Sequence, residues 1–248
     1  MGYVFDFHDA QNYSESLLKQ RNRCILELEN QLMLNLLQPA VGESVLDIGC
    51  GTGISLEPLL ECGLNATGID PSPYMLKIAS EKLGHKVDLY RGFAEDLPFD
   101  DNSFNYASFF TSLEFVEDPA KAIEEACRVA KDRVFIGFLN SYALKGIQRR
   151  LQGIFTPTIF NKARFFSVWE LKTMVQKMAG PVPINWRTVL QLTNANGKLT
   201  QAFEQSGIVQ RVPFGAFAGL SVTLVPRFRT RPLTLRYRPK NTKSALTC

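Results

Sequence analysis

With 248 residues, 45% of them apolar and 21% charged, the chain is long enough to bury a sizeable core in one large domain. No run approaches the ~18 apolar residues that span a bilayer, and the first residues, Met1-Gly2-Tyr3-Val4-Phe5-Asp6, lack a signal-peptide pattern. Eight of the 28 basic residues follow Glu204, the last acid, so residues 1–204 carry −4 and the end +8, which argues against a nucleic-acid groove over the body. The cysteines Cys24, Cys50, Cys62, Cys127 and Cys248 are scattered without CxxC spacing, and His8 and His85 are the only histidines. A reducing, cytoplasmic setting and no metal centre are expected.

Residues 11–37 predict a helix, with leucines and isoleucines from Leu17 to Leu36 at three- and four-residue spacing. Gln38-Pro39-Ala40-Val41-Gly42-Glu43 ends it. Val45-Leu46-Asp47-Ile48 reads as a buried strand, Gly49-Cys50-Gly51-Thr52-Gly53 as a tight turn, and Ile54 to Leu60 as a short helix stopping near Cys62-Gly63. Asn65–Asp70 is a second strand with an acid at its tip. Ser72 then supplies an N-cap and Pro73 a first helical residue, Met75, Leu76, Ala79 and Leu83 share one face, and Gly84 stops the helix. Lys86–Tyr90 is a third strand, residues 92–103 a polar loop and Tyr106–Phe110 a fourth strand. Asp118-Pro119 opens another helix before a fifth strand at Val134–Leu139.

Strands alternating with helices predict an α/β protein with a doubly wound, mostly parallel sheet, which takes its ligands beyond the strand C-termini. Asp47, Asp70, the loop at Phe93 and the segment after Phe110 all fall on that edge. Ile184–Leu192 and Gly215–Val225 are further strand candidates that would bring the sheet to seven. Ser167-Val168-Trp169-Glu170 reads as a capping box opening a helix with Leu171, Met174, Val175 and Met178 on its buried face. The whole of residues 1–248 is expected to be one domain. Within it are an N-terminal helical segment (1–40), a basic and aromatic insertion serving as a lid over the ligand edge (141–166), and a basic tail (227–248).

Three glycines in five positions allow backbone to meet a ligand directly, and the helix N-terminus behind them offers free N–H groups to an anion. A nicotinamide dinucleotide is one reading, but its fingerprint is GxGxxG. Here the third glycine comes one place early and Asp47 precedes the first glycine by two residues. The combination DxGxGxG, an acid ending the second strand, and a polar loop after the third strand is much more specific than the glycines alone.

On those residues the chain resembles the class I S-adenosylmethionine-dependent methyltransferases, in particular the ubiquinone/menaquinone-biosynthesis branch. Val45–Gly53 is similar to the first motif of that family, Gly68–Ser72 to its second, and Gly92–Phe99 with Asp101–Phe104 to its third. Ser112–Pro119 is similar to the segment after strand four. The resemblance implies a Rossmann-like fold, S-adenosyl-L-methionine as cofactor and S-adenosyl-L-homocysteine as product. It implies cofactor contacts at Asp47, Gly49, Cys50, Gly51 and Gly53 around the methionine part, and at Asp70 and Pro71 by the ribose. Met75, Phe93, Ala94 and Glu95 would lie by the adenine, Phe110 and Thr111 along the methionine arm, and Tyr13 would close over the cofactor. Three positions depart from the family pattern. Phe93 and Asn105 stand where aspartates are common, and the segment at Glu114 lacks a histidine pair, so no catalytic base carries over.

The function implied is methyl transfer to a small organic acceptor by in-line displacement. A non-catalytic S-adenosylmethionine-binding sensor or partner subunit is the alternative. A nucleic-acid amino-methyltransferase is disfavoured because Phe110-Thr111-Ser112-Leu113 stands where [DNS]PP[FYW] would be needed. Glu114 is read as an ion-pair partner rather than a base. The basic tail, with Leu233, Leu235 and Tyr237 alternating against Arg236 and Arg238, reads as an edge strand or solvated tail. Weak contact with an anionic membrane or anionic substrate is its functional alternative.

Overall fold

The computed structural model describes residues 2–17, 20–143, 163–190 and 206–224. The loop Asn194–Gly197, most of the expected lid and the basic tail lie outside the described residues. Two helices, α1 (Phe7–Leu17) and α2 (Gln20–Leu37), occupy the region where one helix over 11–37 is expected. Side chains compete for the carbonyls at the end of α1: Ser16 Oγ donates to Tyr13 O at 2.6 Å and Asn22 Nδ2 to Ser16 O at 2.6 Å.

The expected alternation follows: β1 (Ser44–Ile48), α3 (Leu56–Glu61), β2 (Asn65–Asp70), α4 (Pro73–Leu83), β3 (Asp88–Arg91), β4 (Phe104–Phe110), α5 (Pro119–Val129) and β5 (Ala130–Leu139). After residue 163 come α6 (Val168–Ala179), β6 (Ile184–Val189) and β7 (Phe217–Thr223). The caps follow the sequence signals in part. Asp118 accepts from the amides of Ala120 and Lys121, and Ser167 from Glu170 N. The capping box is completed on one side only, since the Glu170 carboxylate takes Arg164 at 2.7 Å instead.

All seven strands join one sheet in the order β3-β2-β1-β4-β5-β7-β6. β1, β2, β3, β4 and β5 pair in parallel, and β7 runs antiparallel to both β5 and β6. The order reverses between β1 and β4, which opens the crevice outside the ends of those two strands. Period-two alternation feeds two cores. Val45, Tyr106 and Phe135 face the layer of α2, α3 and α4 with Leu32, Met33, Leu59 and Leu83. Leu46, Ala107, Val134 and Ile136 face α5 and α6 with Ile123, Ala126, Leu171 and Val175. No helix among the described residues is long and apolar enough to cross a membrane.

Candidate active site

The turn after β1 depends on left-handed backbone at Gly49, Gly51 and Gly53, with φ of +73°, +53° and +76°. Two of these glycines also answer to packing. A Cβ on Gly49 would stand 2.4 Å from Ser112 Cβ, and one on Gly53 2.6 Å from Leu83 Cδ1. A Cβ on Gly51 would meet only Met75 Sδ at 3.9 Å, so bare backbone there fronts open space.

That space is a cleft of about 900 Å³, open to solvent, at the reversal point of the sheet. Twelve of the fourteen residues singled out from the sequence line it: Tyr13, Gly49, Cys50, Gly51, Asp70, Pro71, Met75, Phe93, Ala94, Glu95, Phe110 and Thr111. Asp47 and Gly53 lie behind the turn rather than on the cleft surface. Asp47 is fully buried and pairs in register with Ser108, whose Oγ donates to it at 2.7 Å, while Ser55 Oγ donates to its other oxygen. Burial outweighs those hydrogen bonds and pushes the Asp47 carboxyl up to about 6. Its direct partners make it a support for the turn.

Asp70 is the polar centre of the cleft. Its Oδ2 accepts from Gly51 N at 2.9 Å and its Oδ1 from Ser72 N at 2.8 Å, so one carboxylate ties the tip of β2 to the glycine turn and the start of α4. Burial raises it to about 6 against the lowering effect of those two amides. Each oxygen keeps a further lone pair for a ligand. Thr111 closes β4 with φ +52°, an uncommon conformation for a β-branched residue, and its amide is fixed on Gly137 O at 2.8 Å.

The loop after β3 is held from behind. Glu125 accepts from Leu97 N, and Arg128 donates to the carbonyls of Leu97 and Phe99. Glu95 Oε1 accepts from the amides of Glu117 and Asp118 at 3.0 and 3.3 Å, joining the two sides of the cleft. Phe93 is 45% exposed, so its ring is on the cleft and not in the core. Cys50 offers backbone to the cleft. Its thiol is buried, close to Gly68, and burial pushes it up.

Asn105 stands at the opposite end of β4. It accepts from the Ser44 amide and hydroxyl at 3.1 Å and donates to Asp132 at 3.1 Å, a staple across β1, β4 and β5 remote from the ligand edge. Glu114 is not an ion-pair partner among the described residues. It is buried, its Oε1 accepts from Leu139 N at 2.7 Å, and its Oε2 has no partner there. Desolvation pushes it up to about 7. It does not line the cleft.

Sequence reasoning missed Gly2–Phe5, Thr52, Ser55, Ser112 and Phe115 on the cleft. The Thr52 Oγ1 is buried, with no hydrogen-bond partner among the described residues. Its place inside the glycine turn was the available signal.

Residues 46–137 match the family model described as a methyltransferase domain. A demethylmenaquinone methyltransferase of Paenarthrobacter aurescens is 37% identical over 101 residues, covering 41% of this chain and 40% of that protein. The chain spans about two fifths of the length of such curated relatives. A solved methyltransferase of Thermotoga maritima, described as a possible histamine N-methyltransferase, superposes with a TM-score of 0.66 at 24% identity. That match covers 88% of this chain and 97% of the other. Magnesium protoporphyrin IX methyltransferase from Synechocystis, solved with S-adenosylhomocysteine, has a TM-score of 0.60 at 14% identity, over 87% and 94% of the two chains. Over residues 46–137 the chain is similar to a methyltransferase domain, and its fold is that of solved S-adenosylmethionine-dependent methyltransferases. Over about that stretch it resembles the demethylmenaquinone methyltransferases.

Proposed function

We propose that the protein binds S-adenosyl-L-methionine in the cleft and transfers its methyl group to a small organic acceptor. The observation that carries this reading is Asp70, a carboxylate held by amides on both oxygens at a glycine-walled crevice, with lone pairs left for a ribose diol. Thr52 strengthens it, because a buried hydroxyl with no partner among the described residues is costly until a ligand acceptor such as a carboxylate meets it. Gly51 leaves room where any side chain would project. The residues therefore fit the cofactor.

S-adenosylmethionine would supply a methyl group already activated on a sulfonium. Asp70 would orient the ribose, the glycine turn and Thr52 would hold the amino-acid part, and Phe93 and Ala94 would flank the adenine, with Phe93 offering a ring face and no carboxylate. Among the described residues no Lys, Arg or His lines the cleft, and Glu95 is already engaged by two amides. The protein's part is alignment and exclusion of water. An acceptor whose proton must leave would give it to solvent.

The test is calorimetric titration with S-adenosylhomocysteine, followed by an assay for its formation from S-adenosylmethionine over a panel of small acceptors. Binding that depends on Asp70, with product formed, supports the reading and rejects the sensor alternative. Absence of binding removes both.

A further inference from the structure

Both tryptophans of the chain, Trp169 and Trp186, belong to one surface cluster, and neither lines the cleft. Trp169 is in the first turn of α6, Trp186 in the edge strand β6, and Tyr142 follows the end of β5. Their rings form a row. The Tyr142 and Trp169 centroids are 6.4 Å apart, and those of Trp169 and Trp186 5.6 Å. Trp186 packs on the core beneath α5 and α6, but Tyr142 is 57% exposed and Trp169 51%. Two large rings are thus held half out of the fold beside a third that anchors them, an apolar ledge with polar tips.

The ledge is fixed to the edge of the sheet on which the cleft opens. Ser141 N donates to Phe166 O at 2.8 Å and Asn140 bridges Phe166, which sets the start of α6 against the end of β5. Along α6, Trp169, Lys172, Thr173 and Gln176 recur at three- and four-residue spacing on one exposed stripe, so a cation follows the ring on the same face. The charge of the chain also divides here. Residues 1–140 hold 11 basic and 22 acidic residues, a balance of −11, whereas residues 141–248 hold 17 basic and two acidic, a balance of +15. The ledge lies in the basic part, and such an asymmetry turns that part toward an anionic surface.

Tryptophan and tyrosine with a flanking cation suit the headgroup zone of a bilayer, where rings are buried while polar tips and cations stay wet. The rings meet at 87° and 58°, so they offer edges in place of the open, parallel faces on which nucleic-acid bases stack. We propose that Tyr142, Trp169 and Trp186 form a docking site for an anionic lipid surface, with Lys172 beside them facing the headgroups and the positive charge of residues 141–248 drawing the protein there. Docking turns the ligand edge of the sheet toward the bilayer and is independent of what the cleft binds.

Intrinsic fluorescence of the full chain tests this, because its two tryptophans both sit in the ledge. Phosphatidylcholine vesicles containing phosphatidylglycerol shift the emission to the blue, and brominated phosphatidylcholine in the same vesicles quenches it. Vesicles of phosphatidylcholine alone bind roughly tenfold more weakly or worse. The double variant Tyr142→Ala/Trp169→Ala keeps Trp186 as reporter and lowers partition into the anionic vesicles roughly tenfold or more. Failure of the parent to bind the anionic vesicles, or binding without a blue shift and bromine quenching, overturns the docking site. Partition that the double variant retains within about twofold overturns it as well. So does a blue shift produced by a single-stranded oligonucleotide and not by the vesicles. Should circular dichroism show the double variant unfolded, bromine quenching in the parent decides alone.

Discussion

Asp70 and Glu114 are two buried carboxyl groups on the same edge of one sheet, the first ending β2 and the second in the turn after β4. Asp70 faces the cleft with an amide on each oxygen, at 2.9 and 2.8 Å. Glu114 lies off the cleft with one oxygen on Leu139 N and the other without a partner among the described residues. Burial raises both, Asp70 to about 6 and Glu114 to about 7. Depth of burial separates them, Asp70 bordering the cleft at 8% exposure and Glu114 lying at 1%. Two amides oppose the desolvation of Asp70, leaving it ionised at neutral pH, ready for hydroxyl donors. More deeply buried, Glu114 keeps its proton to higher pH and serves as a neutral acceptor at the end of β5.

The largest expected effect breaks the Asp70 side of this contrast. Asp70→Ala removes a charged acceptor from the ligand and strands the amides of Gly51 and Ser72. S-adenosylhomocysteine affinity should fall roughly 100-fold, with about 1–3 kcal/mol lost in thermal stability. Calorimetry and melting check it. Affinity within a few fold of the parent would reduce Asp70 to a staple for the turn.

Next comes the pH dependence of stability. The Glu114 pKa is raised in the folded state, from 4.5 to about 7, so its protonated form favours folding. That contribution is complete below pH 4.5 and is lost as pH rises through about 7, a cost of about 3 kcal/mol over the window. Glu114→Gln keeps an acceptor for Leu139 N and carries no proton to lose. Its unfolding free energy should fall less between pH 4.5 and 7 than that of the parent. A residual slope remains from Asp47 and Asp70, both raised to about 6. Parallel denaturation profiles for parent and variant would show Glu114 ionised throughout.

How far these two acids were legible in the sequence follows from where their partners lie. Asp70 was readable because its context is local: a strand pattern before it, a Ser-Pro helix start after it, and a glycine turn on the neighbouring strand. The five-strand alternation and the reversal point followed from the same short-range signals. Glu114 was misread as an ion-pair partner because its state depends on burial against β5, which no spacing encodes. The departure at Asn105 became intelligible only with Ser44 and Asp132 beside it, both distant in the chain. Gly2–Phe5 escaped notice for the same reason, since its contacts return from Ser72 and Phe115.

A smaller effect sharpens the role of Asp70 in binding. A ribose diol donates to the ionised carboxylate, so the ligand prefers the deprotonated form. Affinity should rise with pH up to about 6, by as much as roughly tenfold per unit, and level off above it. Titrations from pH 5 to 8 in buffers of different ionisation heat should show proton release on binding at the acidic end. Asp70→Asn should flatten that part of the profile. A flat profile in the parent would mean that Asp70 is ionised well below pH 5 before any ligand arrives.

The smallest expected effect tests whether Arg164 supplies the ion pair once expected of Glu114. Arg164 reaches Glu114 through its backbone, donating its amide to Glu114 O at 2.8 Å, while its guanidinium pairs with Glu170 at 2.7 Å on the surface. Its side chain is 52% exposed and that of Glu170 39%, so solvent screens the pair. Arg164→Ala leaves the backbone contact in place and should change stability by less than about 0.5 kcal/mol. The pH dependence assigned to Glu114 should persist unaltered in it. A change in that dependence would reveal a guanidinium field at Glu114 and narrow its contrast with Asp70, because ionisation would then be set by a nearby charge as well as by burial.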